Sequence, residues 1–288
     1  MKINELIGET PLVKISEKLY AKLELYNPTG SIKDRMAYWV LTKAEESGEL
    51  LPGNTIVEAS SGNTGIAFSM LGSVKGYRVI IILPENMSEE RKKMMKLFGA
   101  ELIEVGPSDF KGAIALRDKM VSENEDYFSP NQFSNPENVN CHEWTTGFEI
   151  KRQTVQAGIE HIAAVVSGAG TGGTMMGVKA SFKRFAVAPP KYVLVRPAEK
   201  KLHGIQGIGD GGDYLVARDE MDDIYEISTP DAIARAKRVA RENGLLVGIS
   251  SGANILAAER WISNNEFEGV VVTFLPDRGE RYLSVFTA

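Results

Sequence analysis

The sequence predicts an α/β protein with two domains, each a mostly parallel twisted sheet flanked by helices. Three observations carry this. Continuous apolar runs such as Val79–Leu83, Ile162–Val166 and Val270–Leu275 lack polar alternation, as strands covered on both faces do. Turns and helical patterns separate these runs, the order of a parallel βαβ unit. There are more runs than one compact sheet needs, and 288 residues at about 150 per domain give two domains. The expected division is a small domain over 38–140 and a large one combining 1–37 with 141–288. A ligand is expected between them, at the carboxyl ends of strands.

Taken in order, Thr55–Ala59 reads as a strand followed by a helix from about Thr64 to Lys75. Tyr77–Leu83 precedes a helix over Ser88–Phe98, and Leu102–Val105 precedes one over Phe110–Glu123. Asp126–Phe128 reads as a short strand. Ile162–Val166 leads into a helix over Gly172–Arg184, and Tyr192–Val195 is the next strand. Leu245–Ile249 is expected to be a strand feeding a helix over Gly252–Asn264, with Val270–Leu275 as the last strand.

Composition narrows the function. The net charge of −5 argues against a general nucleic-acid binder, which needs a basic face. A small anion is still compatible, because backbone N–H groups hold phosphate without net positive charge. Cys141 is the single cysteine, with only His142, His161 and His203 beside it. No internal disulfide is therefore expected, and no metal site. The opening MKINELIGETP has no apolar signal segment, and the longest apolar runs fall far short of the ~20 residues of a membrane span. These features point to a soluble protein of a reducing compartment, the cytoplasm.

Three small-residue turns follow expected strands. Glu58-Ala59-Ser60-Ser61-Gly62-Asn63-Thr64-Gly65 offers hydroxyls, an amide and N–H groups at a helix N-terminus. It reads equally as an anion site or as a polar cap. Ser167-Gly168-Ala169-Gly170-Thr171-Gly172-Gly173-Thr174 reads as a phosphate nest, since glycines let backbone approach an anion closely. Gly168, Gly170 and Gly173 spell GxGxxG, but a dinucleotide site also needs an acidic residue about 20 positions on. Arg196-Pro197 stands there instead, which weighs against a nucleotide oxidoreductase. Gly248-Ile249-Ser250-Ser251-Gly252-Ala253 is explained as well by a serine cap. Near the N-terminus, Asn27-Pro28-Thr29-Gly30-Ser31-Ile32-Lys33-Asp34-Arg35 places Lys33 where a helix begins. The positive end of the dipole there lowers an amine's pKa, which suits Schiff-base chemistry; a lysine simply solvated beside Asp34 is the alternative.

Together, NPTGSIKDR, EASSGNTG, SGAGTGGT, GISSGAN and PDRGERYLS, in that order, resemble the cysteine synthase (O-acetylserine sulfhydrylase) family. These are fold-type II pyridoxal-phosphate enzymes, also called the tryptophan synthase β family. The resemblance runs from IGETPLVKI to GERYLS. It implies that pyridoxal 5′-phosphate lies in the cleft between the domains, carried by Lys33. Asn63 matches the contact to the cofactor's 3′-oxygen, and Gly170, Thr171, Gly172, Gly173 and Thr174 match the phosphate cup. Ser250 matches the residue at the pyridine nitrogen, with Pro276 and Asp277 nearby. Ser60, Ser61, Asn63, Thr64 and Gln132 match the grip on the substrate α-carboxylate, and Gly207 a further substrate contact. Ser60 stands where the family usually has threonine. The implied chemistry is β-replacement or β-elimination on a serine- or cysteine-type amino acid through an aminoacrylate, with Lys33 as base. By default O-acetylserine and sulfide give L-cysteine. A homodimer is implied, with a serine acetyltransferase as a possible partner.

One segment departs from the family. Arg196–Gly204 is short and runs directly into Ile205-Gln206-Gly207-Ile208-Gly209-Asp210-Gly211-Gly212. Asp210 stands where alanine is usual, and Gly212 where phenylalanine is usual. A solvated loop is one reading. The other makes Asp210 a catalytic carboxylate near Cβ, which favours an L-cysteine lyase releasing hydrogen sulfide, or a β-synthase using L-serine.

Overall fold

Side chains of β3 (Thr55–Ala59) are buried without exception, as are those of β4 (Arg78–Pro84) after its first residue. In β7 (Ile162–Gly168) and β10 (Val270–Phe274) only one terminal residue of each escapes full burial. Apolar runs without alternation thus form strands covered on both faces. The computed structural model describes residues 2–60, 62–185, 188–199, 203–209 and 214–287.

In chain order, β1 (Leu12–Lys14) and β2 (Leu19–Lys22) precede α1 (Lys33–Ser47). Then β3 leads into α2 (Asn63–Lys75), and β4 into α3 (Glu89–Leu97). β5 (Glu101–Val105), α4 (Phe110–Ser122) and β6 (Tyr127–Phe128) follow. α5 (Glu137–His142) continues through a π-helical stretch, Glu143–Gly147, into α6 (Phe148–Gln156). β7 feeds α7 (Gly173–Phe185), then β8 (Lys191–Pro197) and β9 (Asp223–Ile227). α8 (Thr229–Asn243) and α9 (Ile249–Asn264) come before β10.

The chain forms two compact units. One comprises Met1–Ile7 and Lys33–Glu137, the other Gly8–Ile32 and Asn138–Ala288. The first holds a four-stranded parallel sheet, β5-β4-β3-β6. Its core packs Met36, Leu41, Ile66, Phe68 and Ile81 between α1, α2 and the sheet. The second holds a six-stranded sheet, β1-β2-β10-β7-β8-β9, in which the β1–β2 pair alone is antiparallel. Leu19, Val166, Val195, Ile255, Ala258 and Trp261 belong to its main core.

Each sheet has one point where the chain leaves a strand in one direction and returns on the other side. In the first unit it lies between β3 and β6, in the second between β7 and β10. Loops after such strands diverge and leave a crevice, the usual place for a ligand in an open α/β sheet.

Leu245–Ile249 does not form the expected strand. Gly244, in the left-handed region at φ 68°, caps α8, and Gly248 is already the N-cap of α9. Too few residues remain for a ladder. Val247 makes an isolated bridge to Arg278, and Val247 and Ile249 fill the core from a short extended link. α9 accordingly starts at Ile249 rather than at Gly252.

Candidate active site

In the first unit, the loop after β3 and the segment after β6 meet at the switch point. Ser60 Oγ accepts hydrogen bonds from the N–H groups of Gly65 at 3.0 Å and Gly62 at 3.4 Å, so its hydroxyl caps the start of α2. Both bonds use oxygen lone pairs, so the hydroxyl proton is still available to a carboxylate. Asn63 is the first residue of α2. Thr64 Oγ1 donates to Oε1 of Gln132 at 2.7 Å, and both side chains are buried. Ser61 lies outside the described residues.

A carboxylate missed by the sequence reading holds this corner. Glu58 is fully buried at the inner side of the Ser60 loop. Its Oε1 accepts from Ala59 N–H at 2.8 Å and from Arg117 at 3.1 Å, and its Oε2 from Gln132 N–H at 3.4 Å. Burial pushes the Glu58 carboxyl above its ordinary range, opposed by the Arg117 charge and these N–H donors. Arg117 carried no motif, so nothing marked the pair in the sequence.

Lys33 is the first residue of α1. The turn before it is pinned in the second unit. Ser31 bridges Asp277, Ile32 N–H donates to Pro276 O at 2.8 Å, and Arg278 N–H donates to Gly30 O at 3.2 Å.

In the second unit, Ser167–Thr174 leaves β7 and enters α7. Gly172 has φ 95°, and a side chain there would place its Cβ 2.5 Å from Val216 N, so both conformation and space require glycine. Among the described residues, the N–H groups of Gly170, Thr171, Gly172 and Thr174 donate to no protein acceptor, although Thr171 and Gly172 are buried. Buried unpaired donors at a helix N-terminus are costly unless an anion completes them. The loop 203–209 docks on this turn: Gly209 N–H donates to Ala169 O at 2.9 Å, and Gly207, at φ 86°, sets its carbonyl against Gly170. Asp210, which follows, lies outside the described residues.

Ser250 is the second residue of α9 and is 4% exposed; its hydroxyl has no protein partner among the described residues. Asp277 sits beside it in the fold. Its carbonyl accepts Gly248 N–H at 3.0 Å, and its carboxylate accepts the Tyr282 hydroxyl at 2.6 Å. Asn254 joins the ends of the two strands flanking the switch point. Its Oδ1 takes Gly168 N–H at 2.8 Å and its Nδ2 donates to Phe274 O at 3.0 Å. The GISSGAN motif contains Asn254, but the residue's clamp role needs the tertiary fold to be seen.

A family model described as pyridoxal-phosphate dependent enzyme matches residues 3–277. A cysteine synthase of Staphylococcus aureus (strain Mu50) is 40% identical, with 98% of this chain and 95% of that protein covered. The structure of a cysteine synthase from Entamoeba histolytica superposes with a TM-score of 0.90 at 39% identity, covering 98% of this chain and 89% of the other. A hydrogen sulfide-producing enzyme from Fusobacterium nucleatum gives a TM-score of 0.91 at 38% identity, with 98% and 89% covered. With a match across nearly its whole length, and with its glycine turn and polar loops at the switch points of two mostly parallel sheets, the chain belongs to the pyridoxal-phosphate dependent enzymes of cysteine synthase type.

Proposed function

We propose that this enzyme makes L-cysteine from O-acetylserine and sulfide by β-replacement, with Lys33 as the residue that carries the cofactor. The observation that carries the site assignment is the set of N–H groups of Gly170, Thr171, Gly172 and Thr174, which donate to no protein acceptor among the described residues, those of Thr171 and Gly172 being buried, and which fit a phosphate group. Pyridoxal phosphate, when bound, supplies an electron sink for bond breaking at the amino acid's α-carbon. Lys33, once freed by the incoming amino acid, takes the α-proton. Asn63 orients the cofactor ring through its 3′-oxygen. Ser60, Ser61, Asn63, Thr64 and Gln132 would fix the substrate carboxylate, and Gly207 would be a further substrate contact. Ser250, with its buried hydroxyl, would hold the cofactor's pyridine nitrogen with a neutral partner, a setting that would favour loss of the β-substituent. Pro276 and Asp277 support that corner.

A second reading has its own support. Asp210 stands where the family usually has alanine, and a hydrogen sulfide-producing enzyme is among the close structural neighbours. On this reading L-cysteine is the substrate and hydrosulfide the leaving group, with water addition giving L-serine; a β-synthase using L-serine directly is the related possibility. A panel of O-acetylserine with sulfide, L-cysteine, L-serine, and L-cysteine with homocysteine decides between them. Fast cysteine formation with negligible sulfide release supports the synthase; the reverse supports the lyase.

We also infer a homodimer. Trp144, Phe148 and Val155 are 48%, 51% and 71% exposed along one helical segment, an apolar face of the kind a second copy covers. Sedimentation at micromolar concentration tests it, and co-sedimentation tests a serine acetyltransferase as partner. Among the described residues no helix is long and apolar enough to cross a membrane, and we place the enzyme in the cytoplasm.

A further inference from the structure

α5 carries two side chains one helical turn apart that reach the two threonines of the glycine turn. Asn138 Nδ2 donates to Thr171 Oγ1 at 3.0 Å, and His142 Nε2 lies 3.2 Å from Thr174 Oγ1. Both α5 side chains are buried, at 2% and 1% exposure. The close approach is built into the backbone: a Cβ on Gly177 would sit 2.4 Å from Val139 O, and one on Gly147 2.5 Å from Ser181 Cβ.

From this geometry we infer that His142 is a positioning residue. It is held as the neutral Nε2–H tautomer by Thr146, and it makes the Thr174 hydroxyl a hydrogen-bond donor to the cofactor phosphate. This rests on the reading that Gly170–Thr174 hold that phosphate.

The proton count runs along the chain of contacts. Thr145 Oγ1 gives its proton to Cys141 O at 2.6 Å. Thr146 Oγ1, fully buried, has His142 Nδ1 at 2.8 Å and Thr145 Oγ1 only at 3.5 Å. We assign that proton to the shorter contact, which makes Nδ1 the acceptor; the reverse order, Nδ1–H to Thr146 and Thr146 to Thr145, fills the same contacts but has Thr174 giving its proton to Nε2. A neutral imidazole then carries its proton on Nε2 and donates it to Thr174 Oγ1. The Thr174 proton is left over. Asn138 leaves the Thr171 proton over in the same way, because an amide nitrogen only donates. A phosphate dianion only accepts, so both threonines must present protons to it. With the opposite tautomer, Thr174 would give its proton to Nε2 and turn lone pairs toward the anion.

The test uses holoenzyme labelled with 15N-histidine. The chain has three histidines, and the signal lost in His142→Gln assigns the ring. Long-range proton–nitrogen spectra are expected to show His142 protonated on Nε2 alone. A ring protonated on Nδ1, as the other tautomer or as imidazolium, overturns the inference. Thr146→Val is expected to erase the tautomer preference and weaken cofactor binding about three- to tenfold, the span of one hydrogen bond. Thr146→Ser should restore both; unchanged binding in Thr146→Val also overturns the inference. Should the valine variant not fold, the wild-type spectrum still decides. In uniformly 15N-labelled protein, amide shifts at Gly170–Thr174 are compared between holoenzyme and protein reloaded with pyridoxal lacking the phosphate. Unchanged amides sink the phosphate reading and this inference with it. Changed amides beside an Nδ1-protonated ring sink the inference alone.

Discussion

Thr64 gives its hydroxyl proton to Oε1 of Gln132 at 2.7 Å although 68 residues separate them. The bond orients the Gln132 amide, which the proposed function assigns to the substrate carboxylate. Thr64→Val should therefore raise KM for the amino-acid substrate about tenfold or more, since it removes one contact and frees another. kcat should fall less, and Thr64→Ser should retain most of the affinity. Equal loss in kcat with unchanged KM would remove both residues from the carboxylate subsite.

Lys33 opens α1, directly after a turn tied to Pro276 and Asp277. Lys33→Ala should lose the covalent attachment of the cofactor and nearly all turnover. Borohydride reduction of wild-type holoenzyme followed by peptide mapping should place the adduct on Lys33; an adduct on any other lysine refutes the assignment.

The parts of this fold legible in the sequence were those where burial is two-sided. β3, β4, β7 and β10 are largely apolar runs because a strand covered on both faces keeps few polar side chains, and those it keeps, such as Glu58 and Thr273, have hydrogen-bond partners. The edge strand β9 reads Asp-Ile-Tyr-Glu-Ile and is mostly exposed, so it carried no such signal. β1 and β2 are too short to show a period. α8 had a local signal that went unread: Ser228 caps it by accepting Asp231 N–H at 3.2 Å, and Gly244 ends it. For the site, motif residues stood out because turns demand glycine, serine and asparagine. Their supports Glu58, Arg117, Asn138, His142 and Asn254 did not, since a buried polar pair is recognisable only when both partners are in place.

Glu58 and Arg117 form such a pair, with both side chains buried. Arg117→Met would strand a carboxylate already pushed up by burial. It should cost about 3–5 kcal/mol and loosen the Gln132 segment that Glu58 holds. Glu58→Gln should be milder, because the amide keeps part of the network. Adding Glu58→Met to Arg117→Met should recover stability. Urea denaturation of the three variants checks the order; a double variant no more stable than Arg117→Met would show that Glu58 does not depend on Arg117.

Asp222 links β8 to the start of β9. Its carboxylate accepts from Tyr192 N–H and from Lys191 Nζ, each at 2.8 Å. Partial burial would raise its pKa, but the Lys191 and Tyr192 bonds with nearby cations prevail and hold it below the ordinary carboxylate range. A depressed folded-state pKa stabilises the fold above the unfolded value of about 3.9 and ceases to do so as pH falls through the folded value. Asp222→Asn should therefore cost about 0.5–1 kcal/mol at neutral pH, a modest figure because the pair is partly solvated. The gap to wild type should close on acidification below about pH 4. A gap independent of pH would mean that packing, not charge, is what the substitution removes.

On the proposed reading that sets Asp210 near Cβ, it bears on which reaction the enzyme favours. Acetate leaves Cβ without assistance, so a synthase working on O-acetylserine has no use for a carboxylate there. Hydrosulfide and hydroxide are poorer leaving groups and benefit from a proton donor, and an attacking water benefits from a base. A carboxylate also repels incoming hydrosulfide, which works against synthesis. Asp210→Ala should therefore reduce sulfide release from L-cysteine by about 100-fold or more, the scale of a general acid–base group. O-acetylserine sulfhydrylation should be spared, or rise as the repulsion is lifted. Asp210→Asn, which keeps shape but not charge, should follow the alanine variant in the first reaction. Equal losses in both reactions would make Asp210 a structural residue. A wild-type enzyme releasing no sulfide from L-cysteine would return the activity to cysteine synthesis alone.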